Sequence, residues 1–134
     1  MAVITHLAVK DKLMAQITIK DVGTFDIPDD KRLVLAIEDS GVDILHRCGG
    51  YAGCTTCRVD ISAGEPDTMT QAEFNKLNEI EKFGQFRLSC QILCDHDMTV
   101  EPLMRISTTS YEDAGNRPKD HITPDPEWID KPDA

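Results

Sequence analysis

Three cysteines, Cys48, Cys54 and Cys57, fall within the ten-residue stretch C-G-G-Y-A-G-C-T-T-C. Their spacing is C-x5-C-x2-C, with Gly49, Gly50 and Gly53 between the first two. A fourth cysteine, Cys90, follows in R-L-S-C-Q-I. Four thiolates converging on a glycine-rich loop describe a pocket for an iron–sulfur cluster. Glycines let backbone N–H groups approach bridging sulfides without side-chain obstruction. Thr55 and Thr56 add only small side chains between ligands. On this reading Cys48, Cys54, Cys57 and Cys90 hold one [2Fe–2S] cluster.

Two other chemistries fit part of the same set. A structural zinc ribbon would use Cys54-x2-Cys57 with Cys90-x3-Cys94. It leaves Cys48 and the loop glycines without a role, and Gln91-Ile92-Leu93 lacks turn residues. If that segment is a strand, its two thiols are about 13 Å apart along the axis, too far for one tetrahedral zinc. A dithiol at Cys54-Thr55-Thr56-Cys57 needs its first cysteine at a helix N-terminus, whereas Arg58–Ser62 is strand-like. A Rieske centre needs a second Cys/His pair to match Cys94-Asp95-His96, and there is none. Cys94 is left over, and burial as a structural thiol is expected.

The elements that must position this loop are also visible. Ile17 and Ile19 alternate with polar neighbours, as do Phe25 and Ile27, across Asp21-Val22-Gly23. That pattern predicts a hairpin with Gly23 in the left-handed position. Asp29 and Asp30 are candidate N-caps for a helix carrying Leu33, Val34 and Ile37 on one face and ending at Gly41. Val59 and Ile61 mark a strand leaving the cysteine loop. Thr70 and Glu73 form a capping-box pattern for a second helix over 70–83, with Phe74, Leu77 and Ile80 at helical spacing and Gly84 closing it. Phe86, Leu88, Cys90 and Ile92 alternate, which places Cys90 on the apolar face of a strand. Met98 and Val100 suggest one more. Residues 3–9 are weakly strand-like, so 1–14 is an extension or extra edge strand. From about Ser107 the chain turns acidic and proline-rich. Residues 111–134 hold seven acidic and three basic side chains, a tail expected to be largely disordered. Trp128, the single tryptophan, is placed to dock on something.

At 134 residues there is room for one domain, 15–106, plus the tail, 107–134. A net charge of −10 opposes nucleic-acid binding. It fits diffusional encounter with basic protein surfaces. Five cysteines, three of them crowded together, suit a reducing compartment better than a secreted disulfide scaffold. No segment approaches the roughly 20 apolar residues that span a bilayer. A soluble, cytoplasmic monomer is expected.

The chain from about Ala15 to Arg105 resembles the [2Fe–2S] ferredoxins of the plant and adrenodoxin kind. The first gap, C-x5-C, and R-L-S-C-Q-I followed by M-T-V are nearer the adrenodoxin branch. P-D-D before the first helix and E-D-S-G-V-D-I at its end are similar to plant-type chains. The resemblance implies an α+β, β-grasp fold, with a mixed sheet crossed by a helix and the cluster near the surface. It implies Cys48, Cys54, Cys57 and Cys90 as iron ligands and one-electron transfer as the function. The implied partners are a ferredoxin reductase and acceptor enzymes docking on acidic surface, with no catalysis of its own. A zinc module or a cluster-based redox sensor is the alternative. Arg47, beside Cys48, would raise the cluster's potential if its charge points inward.

Overall fold

The computed structural model describes residues 14–133. The extension expected over residues 1–14 lies almost wholly outside them. Strand β1 (Met14–Ile19) and β2 (Gly23–Pro28) form the expected hairpin. Its left-handed residue is Asp21, at φ 63°, rather than Gly23, which opens β2 at φ 151°. Asp tolerates that region because its short side chain can bond locally.

Helix α1 (Leu33–Asp39) follows. Its N-cap is Arg32, with no side-chain cap bond, so neither Asp29 nor Asp30 serves. All five residues from Leu33 to Ile37 are buried, not one face alone. They share a single apolar cluster with Ile17, Ile19, Val59 and Val100 of the sheet. Gly41, at φ 94°, follows the helix as expected.

Strands β3 (Arg58–Ala63), β4 (Thr68–Thr70), β5 (Arg87–Leu88) and β6 (Met98–Pro102) complete the sheets with β7 (Trp128–Asp130). The main sheet has the order β2-β1-β6-β3-β5. β1 and β6 run parallel and the other pairs antiparallel. This mixed sheet with its packed helix is the expected β-grasp arrangement.

Helix α2 (Gln71–Glu79) is capped by Thr70, whose hydroxyl accepts from the Glu73 N–H at 3.1 Å. The box is only half made, because Glu73 turns inward to Arg87. The helix also stops short of Lys82, and Glu81 already has a left-handed φ of 59°. Cys90 does not lie on a strand. β5 ends at Leu88, and Ser89–Gln91 form one turn of 3₁₀-helix. Alternating burial cannot separate a strand from a buried turn, and the strand premise used against zinc falls with it.

The tail is ordered. Its strand β7 pairs with β4, making a separate two-stranded sheet. Between the main sheet and β7 the chain forms a strap, with Ile122 and Thr123 buried against the domain. Compositional rules for disorder weigh sequence-local burial; here the partners are residues far back in the chain.

Candidate functional site

The loop Cys48–Cys57 follows α1 after the connection 40–47 and leads into β3. Four of its residues, Gly49, Gly50, Ala52 and Thr55, have φ between 57° and 90°. Successive left-handed residues turn backbone N–H groups inward, into an anion-holding concavity. The N–H groups of Tyr51 and Gly53 each donate to Cys48 Sγ at 3.3 Å. The Cys48 N–H donates to Cys54 Sγ at 3.1 Å. Thr56 Oγ1 lies 3.1 Å from Cys54 Sγ and accepts the Arg47 N–H at 3.0 Å. The Tyr51 side chain is half exposed, and the residue takes part through its backbone.

Cys57 and Cys90 lie deeper, both buried. They are joined through Ser89, whose N–H and hydroxyl donate to the Cys57 carbonyl at 3.2 and 2.7 Å. Gln91 Nε2 lies 3.5 Å from Cys90 Sγ, and the Ala52 N–H also points at that sulfur.

The cysteines fall into two pairs, Cys48 tied to Cys54 through its own N–H and Cys57 tied to Cys90 through Ser89. Within each pair the two thiols are coupled, and one titrates low while its partner titrates high. The bond with Cys54, aided by the Gly53 and Tyr51 N–H groups, brings Cys48 down to about 4. The same bond and burial push Cys54 up. The bond with Cys57 lowers Cys90 in the same way, while Cys57 rises. Among the described residues, no three His, Cys, Asp or Glu side chains meet at the spacing of one ion.

Cys94 stands apart from both pairs. It is buried, its N–H donates to the Lys31 carbonyl at 2.8 Å, and burial with nearby Asp95 pushes its thiol up to about 12.

Arg47 does not face the thiols. Its guanidinium pairs with Asp113 of the strap and lies over the Tyr111 ring, 5.2 Å from the centroid. The cation beneath the loop is Arg32, wholly buried, which donates to the carbonyls of Cys90, Gly50, Lys119 and His121. Burial lowers its pKa, against the pull of the Cys90, Cys57 and Cys48 charges. Gln91 also escaped sequence reasoning. Its side chain accepts from Thr70 Oγ1 at 2.7 Å and donates to the Thr123 carbonyl at 2.9 Å. Nothing local in K-R-L-V or S-C-Q-I marks either residue as buried, because the partners of Arg32 lie 18 to 89 residues away and those that anchor Gln91 are Thr70 and Thr123.

A β-grasp domain presenting paired thiols in a loop of inward N–H groups is an iron–sulfur protein by architecture. The chain belongs to the 2Fe-2S iron-sulfur cluster binding domain family, whose model matches residues 17–95. Its cofactor is one [2Fe–2S] cluster. N–H groups aimed at Cys48 and Cys90 sulfur are what an anionic centre of this kind needs around it, so the residues present fit the group.

The relatives include one component of the Na(+)-translocating NADH-quinone reductase of Pseudoalteromonas atlantica, 38% identical over 74 residues, 55% of this chain and 18% of that protein. The same component from Neisseria meningitidis is 33% identical over 99 residues, 71% of this chain and 24% of that protein. The chain thus spans less than a quarter of the length of these curated relatives. In structure it is similar to an ISC-like [2Fe-2S] ferredoxin from Pseudomonas putida. The TM-score is 0.53 at 24% identity, over 66% of this chain and 91% of that one. The ferredoxin reductase of carbazole 1,9a-dioxygenase gives 0.53 at 16%, over 69% and 28%. At these identities the likeness shows the fold.

Proposed function

We propose that this chain is a one-electron carrier whose [2Fe–2S] cluster is held by Cys48, Cys54, Cys57 and Cys90. The two thiol pairs carry this reading. Two iron atoms need two pairs of thiolates, and Cys48/Cys54 and Cys57/Cys90 supply them. When bound, the cluster takes up and releases a single electron. The protein's part is to hold four thiolates, aim N–H groups at their sulfur and exclude water from the Cys57–Cys90 side. No proton need move, since Arg32 keeps its charge in both states.

The chain does no chemistry of its own in this reading; it passes electrons between redox proteins. Domains similar to it occur in proteins named for NADH–quinone reduction and in a ferredoxin reductase, which supports redox partners on both sides. The acidic surface is the proposed docking face. Glu73, one of the acids of α2, is wholly buried and takes no part in it. No described helix is long and apolar enough to cross a membrane. A cytoplasmic monomer is proposed on the free, crowded cysteines, to be checked by fractionation and sedimentation.

The test is a visible and EPR spectrum of anaerobically purified protein, followed by single serine substitutions. The parent is coloured and gives a reduced-cluster EPR signal. Ser at Cys48, Cys54, Cys57 or Cys90 weakens or abolishes both, and Cys94→Ser retains them. Colour lost in Cys94→Ser, or a colourless zinc-loaded parent, refutes the assignment.

A further inference from the structure

Arg32 is a fully enclosed charge in the described structure. It precedes α1 in the chain, and its side chain is 0% exposed. A guanidinium has five N–H donors, and all five are used. Nε and Nη2 donate to the Cys90 carbonyl at 3.0 and 2.6 Å, and Nη2 also to Gly50 at 2.7 Å. Nη1 donates to Lys119 and His121 of the strap at 2.9 and 3.0 Å. Every acceptor is a neutral carbonyl. Among the described residues Arg32 belongs to no ion pair, unlike Arg87, the other deeply buried arginine, which holds Glu73.

A buried charge without a counter-charge is strongly unfavourable. The side of the cysteine loop that Arg32 faces is that of Cys90 and Gly50, to whose carbonyls it donates. Four thiolates, two sulfides and two ferric ions sum to a dianion, which supplies the missing charge. The strap keeps that pairing dry. A Cβ added to Gly50 would lie 2.8 Å from Arg32 Nη2 and 2.8 Å from Pro118 Cβ, so loop, guanidinium and strap are in contact. Ile122 and Thr123, both buried, pin the strap beside them, and Thr123 Oγ1 donates to the Gly50 carbonyl at 3.1 Å.

We infer that Arg32 is a positioning residue that holds a fixed, water-excluded positive charge against the Cys57–Cys90 side of the cluster, making it easier to reduce, and that the strap keeps this charge unscreened. The inference rests on the ligand set proposed above. The step it biases is the transfer of one electron from a reduced partner protein, which is oxidised, to the cluster; no bond forms or breaks. The reduced centre is more negative by one charge, and a nearby cation favours it.

The experiment is an anaerobic spectroelectrochemical titration of the full chain. Arg32→Gln keeps the visible and EPR spectra but favours the oxidised form at least tenfold, a fall of 59 mV for a one-electron couple. Arg32→Lys, which restores the charge without the fork, recovers most of that loss. A reduced-to-oxidised ratio within threefold of the parent in Arg32→Gln overturns the inference. So does an Arg32→Lys midpoint no higher than that of Arg32→Gln. If Arg32→Gln fails to hold the cluster, Ile122→Ala decides. Loosening the strap over an intact Arg32 lowers the ratio at least twofold, and an unchanged midpoint there overturns the inference equally. Absence of a cluster in the parent chain refutes the ligand set instead.

Discussion

Glu73 offers the sharpest test of how the fold places Cys90. Its Oε2 accepts from Arg87 Nε and from the Leu88 N–H, each at 2.8 Å, and its Oε1 accepts from Arg87 Nη2 at 3.1 Å. Glu73 is 0% exposed and the Arg87 side chain 6%. These bonds tie α2 to β5 just before the turn that carries Cys90. Burial outweighs Arg87 at the carboxyl and raises the Glu73 pKa above its ordinary 4.5. The sign follows: its contribution to stability is fully present below 4.5 and declines as pH rises through the folded value. At Arg87 the pair wins instead, since Glu73 raises its pKa against burial, and breaking so enclosed a pair is expensive. Removing one partner of a buried pair costs about 3–5 kcal/mol, and an orphaned backbone N–H about 1–3 kcal/mol. Arg87 retains Thr68 O at 3.1 Å, Pro66 O at 3.3 Å and half-exposed Glu65 at 3.3 Å. These remaining partners set the expectation for Glu73→Ala at the low end, about 3 kcal/mol. Cluster loss makes unfolding irreversible, so the readout is the anaerobic bleaching rate in denaturant. At about 1.4 kcal/mol per decade, Glu73→Ala bleaches up to two decades faster where the pair forms late in folding. The double variant Glu73→Leu/Arg87→Met, which removes both charges, recovers most of the loss. A Glu73→Ala rate within threefold of the parent refutes the reasoning, as does a double variant as fast as the single one.

Two further outcomes are expected. With a net charge of −10, reduction by a basic-surfaced redox partner slows as salt rises toward about 0.15 M, where charges are screened beyond about 8 Å. Stopped-flow rates flat across that range remove the acidic docking surface from the proposal. His96 titrates above its ordinary 6.5. Burial pulls it down, but both ring nitrogens face acceptors, Nε2 the Gly64 carbonyl at 2.6 Å and Nδ1 the Asp95 carboxylate. Only the imidazolium donates to both. Its contribution to stability is present below 6.5 and lost as pH rises through the folded pKa. An imidazole NMR midpoint at or below 6.5 contradicts this.

What the sequence could show was local. C-x5-C-x2-C with its glycines located the loop, because ligand spacing and backbone freedom are properties of adjacent residues. Period-two alternation found β1, β2, β3 and β6, and a hydroxyl three residues before Glu73 found the start of α2. The same rules failed where a neighbour in space replaced a neighbour in sequence. Glu73 reads as half of a capping box until Arg87 claims its carboxylate. Phe86 to Ile92 alternate like a strand although Ser89–Gln91 form a 3₁₀ turn.

The amino-acid sequence by itself thus determined the cofactor chemistry and most of the elements that present it. Only the tertiary structure decided how the four cysteines divide into pairs, which arginine lies beneath them, and where the acidic tail packs. Arg47 and Arg32 are both cations near cysteine in sequence or space. Asp113 and Tyr111 draw Arg47 outward, while Cys90, Gly50, Lys119 and His121 enclose Arg32. The physical reason is that a charge's effect on a buried site depends on its distance and its exclusion from water, and both are set by residues that meet only when the chain has folded.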